Sequence, residues 1–224
     1  YARWRRYRKY STGIIGEYLA MDRIAAGVQA AAGGLAADDD ACVAAARGMM
    51  TTDTCHKLAQ RQVELAGGAC RILGFAKGAA MIGPRMATML GVVFTDAYLR
   101  PEDARAALSH AVDRSFNCIS VEGHMSTNDP VLLLANGAAA PEPLAGDDLA
   151  AWRAAFDDLC VELARAIPID GEGATHLIVI DVQGCATREA AHKIALTVAN
   201  SPLVKTAVAG ADPNWGRIVS AVGY

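Results

Sequence analysis

Hydrophobic positions recur along this chain with two periods, one typical of helices and one typical of strands. The strongest helical pattern lies in residues 147–167. Its apolar positions are Leu149, Trp152, Phe156, Cys160, Leu163 and Ile167. We expect Asp147 or Asp148 to cap this helix, because a carboxylate can accept the unpaired N–H groups of a first turn. Four further helices are predicted over residues 21–37, 40–47, 101–116 and 187–200.

Short apolar runs predict the strands, over residues 86–95, 118–122 and 177–182. The stretch 73–78, in which glycines surround Lys77, is predicted as a turn. Because strands alternate with amphipathic helices, the pattern predicts an α/β fold of layered sheets flanked by helices. Residues 11–224 contain no internal repeat and no clean linker, so we interpret them as one catalytic domain.

Composition narrows the class of protein. Of 224 residues, 53% are hydrophobic and 20% are charged, which excludes a disordered chain. The net charge of −3 provides no overall basic field for nucleic acid. No apolar run reaches the roughly 18 residues typical of a membrane span. Six cysteines without a CxxC pair and five histidines without an HxxxH pattern argue against a zinc site and indicate reduced thiols, as in a cytoplasmic protein.

The first ten residues differ from the rest, since they carry five of the 21 basic residues, interleaved with aromatic ones. One hypothesis is an arm for nucleic acid or a membrane surface. A second hypothesis, which we favour, is a flexible or artefactual end at a truncation point. A third is an arginine-rich targeting peptide. Binding of RNA or DNA with a steep salt dependence would support the first hypothesis.

Several polar residues lie among apolar or small residues and are candidates for ligand binding or catalysis. Lys77 has small neighbours, which suits an ammonium that must meet a ligand carboxylate or phosphate. Thr88 is a lone threonine in an apolar run, a pattern more typical of a strand residue than of a nucleophile. For the polar clusters at 51–54, 126–129 and 170–175, each taken singly, we favour a plain turn or helix cap over a catalytic or binding role.

Six segments, taken together and in order, resemble the ornithine acetyltransferase family, also called glutamate N-acetyltransferase, of arginine biosynthesis. They are STGIIG (11–16), MTTDT (50–54), AKGAAMIGPRMATML (76–90), STNDPVLLLANG (126–137), DGEGAT (170–175) and SPLVKTAVAGADPNWGRIVSAVGY (201–224). The resemblance implies an N-terminal-nucleophile-like fold and an enzyme that cleaves its own precursor between Ala87 and Thr88. The expected fragments are 1–87 and 88–224.

The resemblance also implies an acyltransferase with a ping-pong mechanism, which moves acetyl from N-acetylornithine to glutamate through an acetylated Thr88. The new α-amino group of Thr88 would serve as the base for its own hydroxyl. Thr12 and Gly13 match the oxyanion-hole pair, which stabilises the tetrahedral intermediates. The implied substrate-binding residues are Thr51, Lys77, Glu172 and Thr88. Thr52 stays open as the alternative to its neighbour Thr51.

The family implies no metal and no cofactor, although acetyl-CoA would be a substrate in a bifunctional member. Its two fragments stay associated, as a heterotetramer with two of each, without nucleic acid or membrane partners. Ala80 replaces a glycine of the family pattern, so we expect strain if its φ is positive. We also expect this chain to be shorter than family members at both ends. Two alternatives stay open: an N-terminal-threonine amidohydrolase that gives acetyl to water, and an inactive homologue or fragment.

Overall fold

The structure, a computed structural model, describes residues 16–83, 89–124 and 129–223 of the chain. The chain divides into two compact units, residues 1–42 and 43–224. The described helices, in chain order, are α1 (Met21–Gly33), α2 (Asp39–Met49), α3 (Pro101–Arg114), α4 (Gly146–Ile169), α5 (Arg188–Asn200), α6 (Pro202–Ala209) and α7 (Trp215–Val222). The distinct tract 1–10 lies outside the described residues, and the single domain over 11–224 stays a prediction.

In the first unit, α1 confirms the predicted helix and ends at the expected glycine pair. All of its residues are exposed. The second predicted helix is also confirmed, as α2, and the division between the units falls within it. Asp38 Oδ1 accepts the N–H of Ala41 at 2.8 Å, so the aspartate caps the start of α2 as this residue type commonly does.

The second unit contains a mixed sheet whose four described strands follow the order of the chain. They are β1 (Lys57–Leu65), β2 (Gly68–Lys77), β3 (Leu90–Thr95) and β4 (Val131–Ala135). The first two pairs are antiparallel, and β3 pairs with β4 in parallel. The predicted strand 86–95 is confirmed as β3, with residues 86–88 outside the described part.

The turn predicted over residues 73–78 is wrong, because β2 runs without interruption through Lys77. The glycines that suggested a turn have another explanation at Gly74. A Cβ there would lie 2.6 Å from Leu163 Cδ1 and 2.7 Å from Leu159 Cδ2. Gly74 therefore lets α4 pack closely on the sheet, a use of glycine that a sequence pattern does not distinguish from a turn.

Helix α4 confirms the clearest helix of the sequence and supplies much of the core. Five of its six predicted apolar positions are buried, and Leu149 is partly buried. Trp152 stacks on Phe156 with ring centroids 5.0 Å apart. The predicted aspartate cap is wrong, since the helix begins at Gly146 and has no side-chain cap. Asp147 and Asp148 lie within the first turn, where a carboxylate interacts favourably with the helix dipole.

The helix predicted over 101–116 is confirmed as α3, with Pro101 at its first position. The strand predicted over 118–122 is wrong: a 3-10 turn covers Phe116–Cys118 and irregular backbone follows. The N–H groups of Val121 and Gly123 both donate to the carbonyl of Ile82, at 2.9 and 3.2 Å. Two hydrogen bonds to one carbonyl hold this loop locally, but they do not form the repeating hydrogen bonds of a paired strand.

The strand predicted over 177–182 is also wrong, since this segment has no regular structure and Val179 is 73% exposed. A β-branched sequence forms a strand only when another strand pairs with it, and none does among the described residues. The last predicted helix is confirmed as α5, where Thr187 accepts the N–H of Ala190 at 3.2 Å. The α/β class is confirmed.

Candidate functional site

Three of the residues implied by the resemblance belong to the described part of the chain. Thr51 lies in an exposed turn between α2 and β1, Lys77 ends β2, and Glu172 follows α4. Four others lie outside the described residues: Thr12, Gly13, Ala87 and Thr88. Their roles, and the cleavage between residues 87 and 88, stay predictions.

Lys77 is a buried cation at the end of the sheet, with only 1% of its surface exposed. It pairs with Leu90 across β2 and β3, so its backbone lies beside the start of β3. Burial lowers the pKa of its ammonium, and the carboxylates of Asp53 and Asp129 oppose that change only in part. Among the described residues, no carboxylate forms an ion pair with Lys77. Such an ammonium favours a ligand that brings a carboxylate.

Asp53 links the turn that contains Thr51 to the residue that follows Lys77. Its Oδ1 accepts hydrogen bonds from Lys57 Nζ and from the N–H of Gly78, each at 2.7 Å. Its Oδ2 accepts the N–H of Thr51 at 3.2 Å. Burial raises the pKa of Asp53, but the hydrogen bonds from Gly78, Lys57 and Thr51 outweigh it and the net change is downward. Asp53 is therefore a stable anion within the protein.

Asp170 ties the end of α4 to the same lysine. Its Oδ2 accepts from Lys57 Nζ at 2.6 Å and from the N–H of Thr54 at 3.1 Å, and its Oδ1 accepts from the hydroxyl of Thr54. Burial raises the pKa of Asp170, while the contacts with Lys57 and Thr54 lower it further than burial raises it. We call Asp53, Lys57 and Asp170 the buried network.

Glu172 joins the site through its backbone. Its N–H donates to the carbonyl of Ala79 at 2.8 Å, which holds the loop after α4 against the loop after β2. Its exposed side chain lines a groove of about 450 Å³ that Lys77 and Thr51 do not line. Among the described residues, no hydrogen bond or ion pair joins the side chains of Thr51, Lys77 and Glu172. The structure thus brings their backbone segments together, and not their side chains.

Residues on either side of 84–88 are held by acidic side chains. The N–H of Ile82 donates to Glu122 Oε1 at 3.0 Å, and the N–H of Met89 donates to Asp129 Oδ1 at 2.9 Å. At Gly83 a Cβ would lie 2.8 Å from the carbonyl oxygen of Gly123, so this close approach requires glycine.

The strain expected at Ala80 is absent, because its φ is not positive. The left-handed conformation falls on the next residue, Met81, with φ of 53°. For a residue with a Cβ this conformation costs roughly 1–2 kcal/mol. The substitution of alanine for glycine is therefore compatible with the backbone of this loop.

Sequence reasoning missed the buried network. Lys57 and Asp170 are 113 residues apart, and no spacing pattern connects them. The available signal was an aspartate and a lysine four positions apart, the aspartate within the motif MTTDT (50–54) and the lysine shortly after it. Asp170 itself belongs to a predicted polar cluster, but its burial depends on where α4 packs.

The described residues contain no group of three or more His, Cys, Asp or Glu side chains that could hold a metal ion. None of the helices in the described ranges is both long and apolar enough to cross a membrane. The six cysteines are free thiols.

Comparisons with known proteins agree on one family. The model of the ArgJ family matches residues 5–224. The "Arginine biosynthesis bifunctional protein ArgJ" of Rhodopirellula baltica is 46% identical, over 96% of this chain and 53% of the relative. The protein of the same name from Methylococcus capsulatus is 48% identical, over 97% of this chain and 53% of the relative. The "Arginine biosynthesis bifunctional protein ArgJ, mitochondrial" of Chaetomium globosum is 49% identical, over 96% of this chain and 46% of the relative. The chain therefore spans about half the length of the curated relatives it matches.

The crystal structure of the arginine biosynthesis bifunctional protein ArgJ from Bacillus halodurans is similar to this one. Its TM-score is 0.57 at 43% sequence identity, and the match covers 61% of this chain and 65% of that chain. The resemblance predicted from the six motifs is confirmed.

Proposed function

The chain belongs to the ArgJ family, and from that premise we propose that it is an acetyltransferase of arginine biosynthesis that moves acetyl from N-acetylornithine to glutamate. The acetyl group passes through Thr88, which becomes an N-terminal residue when the chain cleaves itself after Ala87. The relatives named above carry the words arginine biosynthesis and bifunctional in their names. Location in the cytoplasm is part of the same proposal.

The observation that carries this proposal is the buried ammonium of Lys77. Among the described residues it forms no ion pair, and the backbone of Lys77 pairs with that of Leu90, two positions after Thr88. N-acetylornithine and glutamate share an α-carboxylate, the group that a buried ammonium binds most favourably. Lys77 would hold this carboxylate in both half-reactions while the rest of each substrate differs.

Self-cleavage would give Thr88 its reactivity. The hydroxyl of Thr88 attacks the carbonyl carbon of Ala87, the peptide C–N bond breaks, and the proton of the hydroxyl moves to the released amine. Water then hydrolyses the ester, which leaves a carboxylate on Ala87 and a free hydroxyl on Thr88. The new amine has an ordinary pKa of about 7.7–8.0, so it can act as a base near neutral pH.

The transfer itself would proceed in two half-reactions. Thr88 Oγ attacks the acetyl carbonyl, the amide C–N bond breaks, and ornithine leaves with the proton that the Thr88 amine has taken from the hydroxyl. The α-amine of glutamate then attacks the acetyl ester, and the proton returns to Thr88 Oγ. Thr12 and Gly13 would stabilise the oxyanion of each tetrahedral intermediate. This scheme needs no metal or cofactor.

The remaining binding residues would recognise the polar groups of the substrates. Thr51 would donate or accept a hydrogen bond from its exposed turn. Glu172 would bind the side-chain ammonium of ornithine or adjust the basicity of the Thr88 amine. The two fragments would stay associated, with two copies of each.

Intact mass under denaturing conditions tests the first step. We expect fragments 1–87 and 88–224 in place of the 23.4 kDa chain. Thr88→Ala removes the hydroxyl and should stay uncut, whereas Thr88→Ser keeps a hydroxyl and should be cut. An uncut parent chain would contradict the proposal and would favour an inactive homologue or fragment.

Acetyl release from N-acetylornithine, measured with and without glutamate, tests the second step. An acetyltransferase produces N-acetylglutamate, while an amidohydrolase releases acetate at the same rate whether or not glutamate is present. Lys77→Met should raise KM for both substrates about 10- to 100-fold, because the carboxylate loses its partner. Supplying acetyl-CoA as the donor separates a bifunctional enzyme from a single-function one.

A further inference from the structure

Lys57 is held from three directions at the start of β1. Its side chain is fully buried, and its ammonium has three N–H groups. Three oxygens accept from it: Asp53 Oδ1 at 2.7 Å, Asp170 Oδ2 at 2.6 Å and the carbonyl of Cys55 at 3.4 Å. Because donors and acceptors match in number, the ammonium has one favourable position.

Asp53, one carboxylate of the buried network, is hydrogen-bonded to the segments of two predicted binding residues, Thr51 and Lys77. Asp53 accepts the N–H of Thr51 at 3.2 Å and the N–H of Gly78 at 2.7 Å. Gly78 is bonded to Lys77, so a displacement of Asp53 moves the backbone that carries Lys77. Thr51 and Lys77 are thus related to each other through one carboxylate.

Asp170, the other carboxylate of the buried network, lies in the same loop as the third predicted binding residue, Glu172. Asp170 is fixed by Lys57 and by two donors of Thr54, and Glu172 follows it by two residues in the same loop. The N–H of Glu172 then reaches the carbonyl of Ala79 at 2.8 Å. The loop of Glu172 is therefore attached at one end to Lys57 and at the other to the segment after Lys77.

We propose that Lys57 is a positioning residue of the substrate site: by binding Asp53 and Asp170 together, it sets the spacing of the segments that carry Thr51, Lys77 and Glu172. The proposal rests on the proposed function for the identity of that site. Lys57 itself touches no substrate in this scheme. Its position determines whether three separate segments can contact one small amino acid at the same time.

The charges of the site agree with this role. The buried network has two carboxylates and one ammonium, and the nearby Lys77 supplies a second cation. An apolar cluster would hold the same segments together as well or better. What the ammonium adds is direction, because each hydrogen bond tolerates only a narrow range of distance and angle. Fixed geometry matters most where a ligand must be met by several groups.

Kinetics of Lys57→Met test the proposal, with Arg61→Met as the matched control. Arg61 lies on the same strand and also binds two carboxylates, but these lie at the surface. We expect Lys57→Met to raise KM for N-acetylornithine about tenfold with kcat changed less than about twofold, the pattern of weakened binding. Arg61→Met should change neither. A KM within twofold of the parent value in folded Lys57→Met would overturn the proposal.

If Lys57→Met does not fold, a second variant allows the same measurement. Asp53→Asn combined with Lys57→Met and Asp170→Asn removes the charges that the single change leaves unpaired. We expect this triple variant to fold and still to show the raised KM. A parental KM in the triple variant would assign the buried network to stability alone.

Amide hydrogen exchange separates this proposal from the proposed function. In Lys57→Met we expect exchange about tenfold faster at both Gly78 and Thr54, whose N–H groups bind the two network carboxylates, and no change in Arg61→Met. A parent chain without acetyl transfer would refute the proposed function, and the exchange result would still decide the positioning role. Unchanged exchange at either amide would overturn it.

Discussion

Two cations four residues apart on β1 each bind two carboxylates, and the ion-pair distances are nearly the same. Lys57 is 2.7 and 2.6 Å from its partners, and Arg61 is 2.7 and 2.6 Å from its own. The first group is the buried network; the second, which we call the exposed network, consists of Arg61, Asp158 and Glu162. Both connect β1 to the region of α4. They differ in burial: Lys57 is fully buried, whereas Arg61 is 27% exposed and Asp158 68% exposed.

The distance between two charges does not by itself determine how much an ion pair contributes to stability. Water around the exposed network screens its charges and can replace any contact that is lost. The buried network has no such replacement, so each charge depends on its partners. Removing one member of the buried network leaves buried charge behind, while removing one member of the exposed network leaves charge that water solvates.

The largest expected effect is that of Lys57→Met. The change leaves two carboxylates without a cation and should lower the free energy of unfolding by about 3–5 kcal/mol. Chemical denaturation at pH 7 measures it. A loss below about 1 kcal/mol, which is the level expected of a surface pair, would show that burial does not strengthen the buried network.

Acid pH should affect the stability of the parent chain and of Lys57→Met in opposite directions. The pKa values of Asp53 and Asp170 are lowered in the folded protein, so their stabilisation is present above the unfolded pKa near 3.9 and is lost as pH falls through that value toward the folded ones. In Lys57→Met an unpaired buried carboxylate has a raised pKa, so that variant should gain stability as pH falls from 7 to 5. Midpoints of denaturation between about pH 7 and pH 3 measure both changes. A stability of Lys57→Met that does not rise between pH 7 and pH 5 would show that the lysine does not control these carboxylates.

The same contrast explains what the sequence could predict. Helix α4 was predictable because its apolar residues repeat within one segment. Lys77 and Glu172 could be proposed as binding residues because they belong to local motifs that resemble the family. The buried network joins residues 53, 57 and 170 across the fold, and nothing local to any of them marks the contact. The turn predicted over residues 73–78 and the strand predicted over 177–182 are wrong for a related reason. Whether glycines turn a chain or admit a helix, and whether an apolar run pairs as a strand, depends on neighbours distant in sequence.

The smallest expected effect, and the sharpest control, is that of Arg61→Met. Its guanidinium donates to Asp158 Oδ2 at 2.8 Å and to Glu162 Oε2 at 2.6 Å, yet all three side chains are partly exposed to water. We expect a loss below about 1 kcal/mol that shrinks further as salt is raised, because ions screen exposed charge. Lys57→Met should lose nearly the same free energy at low and high salt. A large, salt-independent loss in Arg61→Met would mean that its packed alkyl chain and hydrogen bonds, and not solvent access, govern the network. The distances the two networks share would then be the better guide to their strength.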